Sequence, residues 1–107
     1  MAVIELRKQL GLDVLSTRPS ARVLEPAMRE AVSSGDIILD ASGVMRTTVS
    51  FFDEALLIFD AIVRETGDES LRLVYRDAKA AQSLKSIPKL RGLNLVELAS
   101  GDWIISK

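Results

Sequence analysis

Cysteine and histidine are both absent from this chain of 107 residues. Without them the chain has no disulfide bonds, no thiol nucleophile, no imidazole base and none of the usual nitrogen and sulfur ligands of zinc or iron. The side chains left for chemistry are Asp, Glu, Lys, Tyr, Ser and Thr, which lowers the expectation of an enzyme. The sequence therefore predicts no catalytic residue, no metal site and no cofactor.

An excess of one charge and long apolar runs are missing too. Basic residues number 14 and acidic residues 15, for a net charge of −1, and the two signs are interspersed, which argues against nucleic acid or an anionic membrane as a partner. No uncharged apolar run approaches the ~20 residues of a membrane span. The amino end, Met-Ala-Val-Ile-Glu-Leu-Arg-Lys, lacks the pattern of a signal peptide. We expect a single cytoplasmic domain over residues 1–107 whose partner, if any, is a protein.

The chain is organised around residues 35–54. Ile37-Ile38-Leu39 is a short apolar run followed by the polar Asp40-Ala41-Ser42-Gly43, which is typical of a strand buried on both faces. Ser50 and Asp53 have the spacing of a capping box at the start of a helix. The stretch predicts a strand, an exposed loop at the carboxyl edge of a sheet and a helix, and α/β proteins tend to bind ligands at such an edge.

The longest helical pattern runs from about Val49 to Thr66. At ~100° per residue, one broad face of this helix is apolar and comprises Phe51, Phe52, Ala55, Leu56, Ile58, Phe59, Ile62 and Val63. Acidic and basic residues, among them Asp53 and Asp60, occupy the other side, and we expect them to meet water. Leu57 is a lone apolar residue on that polar side.

Shorter elements precede the central strand. Residues 2–6 predict a first strand, and residues 7–17 fit either a loop or a short edge strand around Val14-Leu15. Thr17-Arg18-Pro19-Ser20 has the pattern of a helix start. Pro26 predicts a kink or break in that helix, because it removes one backbone hydrogen bond and crowds the preceding turn.

A strand and a helix follow the long helix. Residues 71–75 predict a strand, placed nearer an edge because Arg72 interrupts its apolar run. Asp77 is a suitable cap for a helix that continues to Ile87, and Pro88 would stop it.

Two further strands complete the chain. Residues 93–98 and Trp103-Ile104-Ile105-Ser106 flank a turn sequence and predict an antiparallel hairpin, with Trp103 half covered at an edge of the sheet. The alternation of strands and helices predicts a small single-domain α/β fold, with a mixed, mainly parallel sheet of four to five strands and three helices.

Two segments carry a family resemblance. Ile-Ile-Leu-Asp-Ala-Ser-Gly-Val, residues 37–44, and Thr-Thr-Val-Ser-Phe-Phe-Asp-Glu-Ala-Leu, residues 47–56, resemble the STAS-like domains of unknown function, which are related to the anti-sigma-factor antagonist (STAS) fold. The resemblance extends to residues 17–21 and 71–76 and so covers most of the chain. It implies a prokaryotic signalling module that binds an ATP-binding, histidine-kinase-like protein in a partner switch.

The resemblance also implies a site. In anti-sigma-factor antagonists the turn before the long helix resembles Asp-Ser-Ser-Gly, and its first serine accepts the phosphate. Here Thr48, Val49 and Ser50 align with the acid and the two serines, and a one-residue difference in the turn would make Thr48 or Ser50 the acceptor. The residues expected to bind the partner lie on the loop and the polar side of the helix: Ser42, Thr47, Thr48, Ser50, Asp53, Leu57 and Asp60.

Two other functions stay open on the sequence. One is an enzyme or a nucleotide-binding domain that uses Asp40 with Thr47 and Thr48, although Asp40 fits a loop cap better than a phosphate acceptor. The other is a self-associating module that pairs through the edge strand near Trp103.

Overall fold

The computed structural model describes residues 3–107. Seven strands form in this part of the chain: β1 Val3–Glu5, β2 Val14–Leu15, β3 Ile37–Asp40, β4 Arg46–Thr47, β5 Arg72–Arg76, β6 Asn94–Glu97 and β7 Trp103–Ser106. Its α-helices are α1 Leu6–Leu10, α2 Arg18–Arg22, α3 Glu25–Ala31, α4 Val49–Thr66 and α5 Ile87–Leu90. Short 3₁₀ helices span Val32–Ser34 and Ala78–Leu84.

The main sheet has five strands in the order β1-β3-β5-β7-β6. The first three are parallel neighbours, and β7 is antiparallel to both β5 and β6. A separate two-stranded parallel sheet joins β2 to β4. This is the predicted mixed α/β sheet of a small single domain, with more helices than the three expected. The prediction that residues 71–75 lie near an edge is wrong, because β5 is the central strand.

The helices pack on one face of the main sheet and form a single apolar core with it. Trp103, Phe52 and Tyr75 meet in this core, with ring centroids 5.6 Å apart for Phe52 and Trp103 and 6.1 Å apart for Tyr75 and Trp103. Trp103 is fully buried. The expectation of a half-covered tryptophan at an edge is therefore wrong, because β6 lies outside β7 and makes β7 an interior strand.

The second face of the sheet carries an apolar stripe. Alternate residues of each strand point away from the core, and one apolar residue from each strand joins a row that pairs in register across the sheet. We call this row the open-face stripe: Val3, Ile38, Val74, Ile104 and Val96. Ile38 and Val74 are buried, yet they do not belong to the core cluster beneath the helices.

The amino-terminal connections resolve the alternatives that the sequence left open. Helix α1, which was not predicted, begins at Leu6, so the first strand ends at Glu5 and its predicted extension to Leu6 is wrong. The rest of α1 and the short strand β2 lie within residues 7–17. The helix expected after Thr17 is split into α2 and α3, and α3 starts immediately before Pro26. Ala2, which the prediction placed in the first strand, lies outside the described residues.

The predicted helix after β5 takes another form. Asp77 has a left-handed backbone with φ of 58° and makes no side-chain cap, so it is a turn residue. Residues 78–84 are a 3₁₀ helix, and Pro88 lies in the first turn of α5 and does not end a helix. The second correction has a physical reason, since proline is tolerated in a first turn as well as after a last one.

Within residues 3–107, no helix is both long enough and apolar enough to cross a bilayer.

Candidate functional site

Thr48 sets the start of α4. Its Oγ1 accepts a hydrogen bond from the Phe51 amide (3.4 Å) and donates one to the Ser16 carbonyl (2.9 Å). The capping box predicted from Ser50 and Asp53 is wrong, because the helix begins two residues earlier than that spacing assumes. Thr48 therefore caps α4 and ties it to the segment after β2.

Thr47 faces the core. Its Oγ1 lies 2.9 Å from the hydroxyl of Tyr75, and both side chains are buried. Burial raises the pKa of Tyr75 to about 12, and the hydrogen bond to Thr47 opposes that rise in part. The Thr47 hydroxyl is therefore engaged in an internal polar contact between β4 and β5.

Asp40 and Ser42 hold the loop after β3. The Asp40 Oδ1 accepts from the Ser42 amide (2.9 Å) and from the Ser42 hydroxyl (2.6 Å), which is an Asx turn. Asp40 therefore caps the loop, as expected of it. Both residues line an open depression of about 380 Å³ together with Glu5, Arg7 and Lys8.

Asp53 does not meet water, contrary to the prediction from helical spacing. Its carboxylate accepts from the Arg91 guanidinium at 2.7 and 2.6 Å and from Arg18 at 3.0 Å. The neighbouring Glu54 accepts from Arg18 (3.1 Å) and Arg22 (2.5 Å). Arg91, followed by Arg18, holds the pKa of Asp53 below its ordinary value, although burial alone would raise it.

Asp60 is buried in the same way. The Lys107 ammonium lies 2.8 Å from its carboxylate, and Arg64 pairs with the other oxygen. Lys107, with Arg64, lowers the pKa of Asp60. Leu57, between Asp53 and Asp60 along α4, is half-buried. The side of α4 expected to offer charge to a partner is thus covered by arginines and a lysine of the chain itself.

Two exposed apolar side chains lie at the amino end of α4, beside Arg46 and Ser50. We call this the tip surface and define it as Met45, Arg46, Val49 and Ser50. Met45 is 76% and Val49 51% exposed, which is high for apolar side chains. The Oγ of Ser50 makes no hydrogen bond within residues 3–107, where the other hydroxyls of this turn are engaged.

Two open grooves border the tip surface. One, of about 500 Å³, is lined by Arg46, Val49 and Ser50 and by residues of the 3₁₀ helix 78–84. The other, of about 400 Å³, is lined by Met45 and Lys79, and Ala80 belongs to both. Arg46 is the only charged residue that lines the larger groove. The amino end of α4 adds positive potential there, because its first amides lack helical partners.

Sequence reasoning found this loop but chose partly different residues. It selected Thr47, Thr48, Asp53 and Asp60, whose side chains bond within the chain, and it passed over Met45 and Arg46. The sequence offered little signal for Met45, since the preceding residue, Val44, is also apolar and is buried. The structure brings Ser42, Thr48 and Ser50 to the same end of the sheet and leaves Asp60 further along α4.

In the part of the chain that the structure describes, no group of three or more Asp or Glu side chains is placed to hold a metal ion. Comparison of the chain with protein-family models, with curated proteins and with solved structures finds no match.

Proposed function

We propose that this chain is a non-enzymatic protein-interaction module that binds its partner through the tip surface. The observation that carries the proposal is the exposure of Met45 and Val49 beside Arg46, at the end of a helix whose remaining polar side is covered by the chain's own cations. Exposed apolar side chains beside a groove with few charges are typical of a protein contact.

The resemblance to STAS-like domains supports the same location. In that reading the chain acts in the cytoplasm of a prokaryote, in a signalling switch of the anti-sigma type. Its partner is an ATP-binding, histidine-kinase-like protein, and the loop from Ser42 to Ser50 is the contact. Asp53 and Asp60 are engaged in ion pairs within the chain, so we leave them out of the proposed partner-binding surface. We infer that these residues support α4, while Met45 and Val49 make the apolar contact.

The charge of the groove restricts the partner. Arg46 and the amino end of α4 make the larger groove positive, and it contains no acid. A complementary partner segment would present apolar side chains to Met45 and Val49 and an acidic or hydrogen-bond-accepting group to Arg46.

Val49→Asp should abolish capture of the partner without unfolding the domain. Val49 is half exposed, so an aspartate remains hydrated in the free protein but would lose its water against the apolar side chains of the partner in the complex. The measurement is affinity capture from a lysate of the native organism, with wild-type and variant baits in parallel and quantification by mass spectrometry. We expect the ATP-binding partner to be lost by tenfold or more, that is by about 1.4 kcal/mol or more.

Val3→Asp is the matched control, because Val3 is an exposed valine at the amino end of β1, the opposite end from the loop. It should capture the same proteins as wild type. Equal recovery with Val49→Asp and wild type would exclude the tip surface, and loss with both variants would indicate a general effect on folding.

Phosphorylation of Ser50 should weaken the same contact. Ser50 is the second residue of α4, where a phosphate would meet free amides and add a charge of about −1.5 to −2. Arg46 is the one charged residue that lines the larger groove, so the phosphate would change the net charge of this groove from positive to negative. The mimic Ser50→Asp should lower partner recovery several-fold, while thermal unfolding shows stability unchanged or raised by about 0.3–1 kcal/mol.

Ser86→Asp tests whether an added charge alone is enough, since Ser86 is an exposed serine before α5. Thr48→Asp provides the other contrast. Its carboxylate can still accept from the helix amides but cannot donate to the Ser16 carbonyl, so it should lose the tie to that segment and lower stability as well as binding. Normal binding by Ser50→Asp would remove the phosphorylation switch and leave the interaction module.

A further inference from the structure

We propose that two copies of this chain pair through β6 into a symmetric dimer with one continuous ten-stranded sheet, in which Val96 faces Val96 of the second copy. The main sheet of each copy contributes five strands, and β6 is an edge strand of it. The dimer would be antiparallel about a two-fold axis through Val96. It does not depend on the tip surface, which lies at another part of the fold.

The hairpin geometry determines which backbone groups of β6 are available. The Leu98 amide donates to the Asp102 carbonyl (2.8 Å), so this pair is hydrogen-bonded across the hairpin. Because such pairs alternate along an antiparallel ladder, Val96 bonds with Ile104, while the amide and carbonyl groups of Leu95 and Glu97 point away from β7. Those outward groups form a free edge that can pair with another strand.

Protection against pairing is weak along β6. Proteins usually block an edge with proline, lysine, a bulge or an inward-pointing charge. The sequence Asn-Leu-Val-Glu has no proline and no lysine. Its one charge, on Glu97, is turned toward the helix layer, where Lys85 and Gln82 each lie 2.8 Å from its oxygens. Lys85, with Gln82, lowers the pKa of Glu97 to about 2, so this carboxylate is already paired when the edge meets a second strand.

The open-face stripe identifies the second strand as another copy of β6. This stripe crosses the sheet from Val3 to Val96 and ends at the edge with Val96 58% exposed. Pairing Val96 with its equivalent joins the two stripes into one row across both sheets. An unrelated strand would need its own apolar residue at this one position.

Of the registers with an axis at Leu95, Val96 or Glu97, only the one at Val96 both pairs the outward backbone groups and sets compatible side chains opposite each other. With Val96 on the axis, Leu95 of each copy exchanges backbone hydrogen bonds with Glu97 of the other, and Asn94 lies opposite Leu98. An axis at Glu97 would set two carboxylates opposite each other, which is unfavourable. An axis at Leu95 would pair Val96 with Asn94 and interrupt the apolar row.

Disulfide trapping tests the register directly, because the chain has no native cysteine to interfere. Residues opposite each other in a non-hydrogen-bonded pair have Cα atoms about 4.5 Å apart, within the range that a disulfide spans. We expect Val96→Cys to form a covalent dimer under mild oxidation. An equimolar mixture of Asn94→Cys and Leu98→Cys should form a mixed dimer, and neither of those variants alone should crosslink.

Val3→Cys is the matched control, since Val3 is an exposed valine at the other end of the stripe, on the opposite edge strand. It should remain monomeric under the same oxidation. Efficient crosslinking of Val3→Cys, or failure of Val96→Cys to exceed it, would overturn the proposal. Crosslinking of Glu97→Cys with itself in preference to Val96→Cys would overturn this register.

Sedimentation equilibrium tests association without any crosslink. The wild-type protein should show a concentration-dependent monomer–dimer equilibrium, and Val96→Lys should raise the dissociation constant by about tenfold or more, because it sets two ammonium groups on the axis. Val3→Lys adds the same charge at the other edge and should leave the constant unchanged. A wild-type protein that is monomeric at all concentrations, or a Val96→Lys dimer as tight as wild type, would refute the dimer.

Discussion

Trp103→Ala should cost about 3 to 5 kcal/mol of unfolding free energy. Trp103 is fully buried and contacts both Phe52 and Tyr75 in the core. Its removal leaves a cavity between the first turn of α4 and strands β5 and β7, where the backbone cannot close in without breaking the pairing of these strands. A domain of this size has about 5 to 15 kcal/mol in total, so the variant should be marginally folded or unfolded at 37 °C.

The measurement is urea unfolding followed by far-ultraviolet circular dichroism, because the variant loses the only tryptophan of the chain as a fluorescence reporter. Trp103→Phe retains an aromatic ring and should lose less than half as much. Phe52→Leu opens a smaller gap in the same cluster and keeps the tryptophan signal. A loss below about 1 kcal/mol for Trp103→Ala would contradict a buried tryptophan and return β7 to an edge position.

Arg91→Ala should destabilise the protein at pH 7 by about 2 kcal/mol, since it leaves a buried carboxylate with one partner fewer. Arg91 makes two of the hydrogen bonds to Asp53, and Arg18 alone would remain. The full cost of an orphaned buried charge is larger, but water can reach the space that the half-exposed Arg91 vacates. The matched control is Arg7→Ala, which breaks the exposed pair between Arg7 and Asp13 (2.7 Å) and should change stability by no more than about 0.5 kcal/mol.

The difference between Arg91→Ala and wild type should shrink as the pH falls. In the folded protein Arg91 lowers the pKa of Asp53, so the unfolded chain takes up a proton at this carboxyl at a higher pH than the folded one. The stabilisation is complete above the unfolded pKa of about 3.9 and is lost as the pH falls through the folded value. Urea midpoints at pH 7, 5, 4 and 3 check this, and a difference that stays constant down to pH 3 would show that Asp53 is not the group involved.

Local patterns predicted the elements whose cause is local. The bounds of α4 follow from an uninterrupted helical period and from Gly67, which ends the helix with a left-handed backbone. The turn between β6 and β7 was predicted from its own residues, and Gly101 has the positive φ of 93° that this turn requires. For the same reason the break before Pro26 was predicted correctly.

The positions of Asp53, Asp60 and Trp103 depend on distant residues and could not be predicted in this way. Asp53 is buried because Arg18 and Arg91 reach it from α2 and from the end of α5, and Asp60 because Lys107 reaches it from after β7. Helical spacing places acids on one side of a helix but cannot tell whether cations or water lie opposite. Trp103 was placed at an edge because the sequence does not show that β7 inserts between β5 and β6.

The candidate site was likewise predicted only where its position depends on local sequence. The loop between β3 and α4 follows from local sequence, so its place at the edge of the sheet was found. Which of its hydroxyls stay available depends on distant residues. Thr47 bonds with Tyr75, 28 residues away, and Thr48 with Ser16, 32 residues away. No local pattern contains that information. Ser50 remains as the accessible hydroxyl because no such distant partner reaches it among the described residues.

The insertion of β7 has a consequence for synthesis on the ribosome. Chains emerge amino end first, so among the elements described here the strand that pairs with the central β5 and brings Trp103 to the core is the last to arrive. Until it does, Phe52 and Tyr75 lack their aromatic neighbour, and one side of β5 is an unpaired edge. The nascent domain should therefore keep this edge and this part of its core open until β7 has emerged, and the pairing of β5 and the burial of Phe52 and Tyr75 should be completed together at that late point.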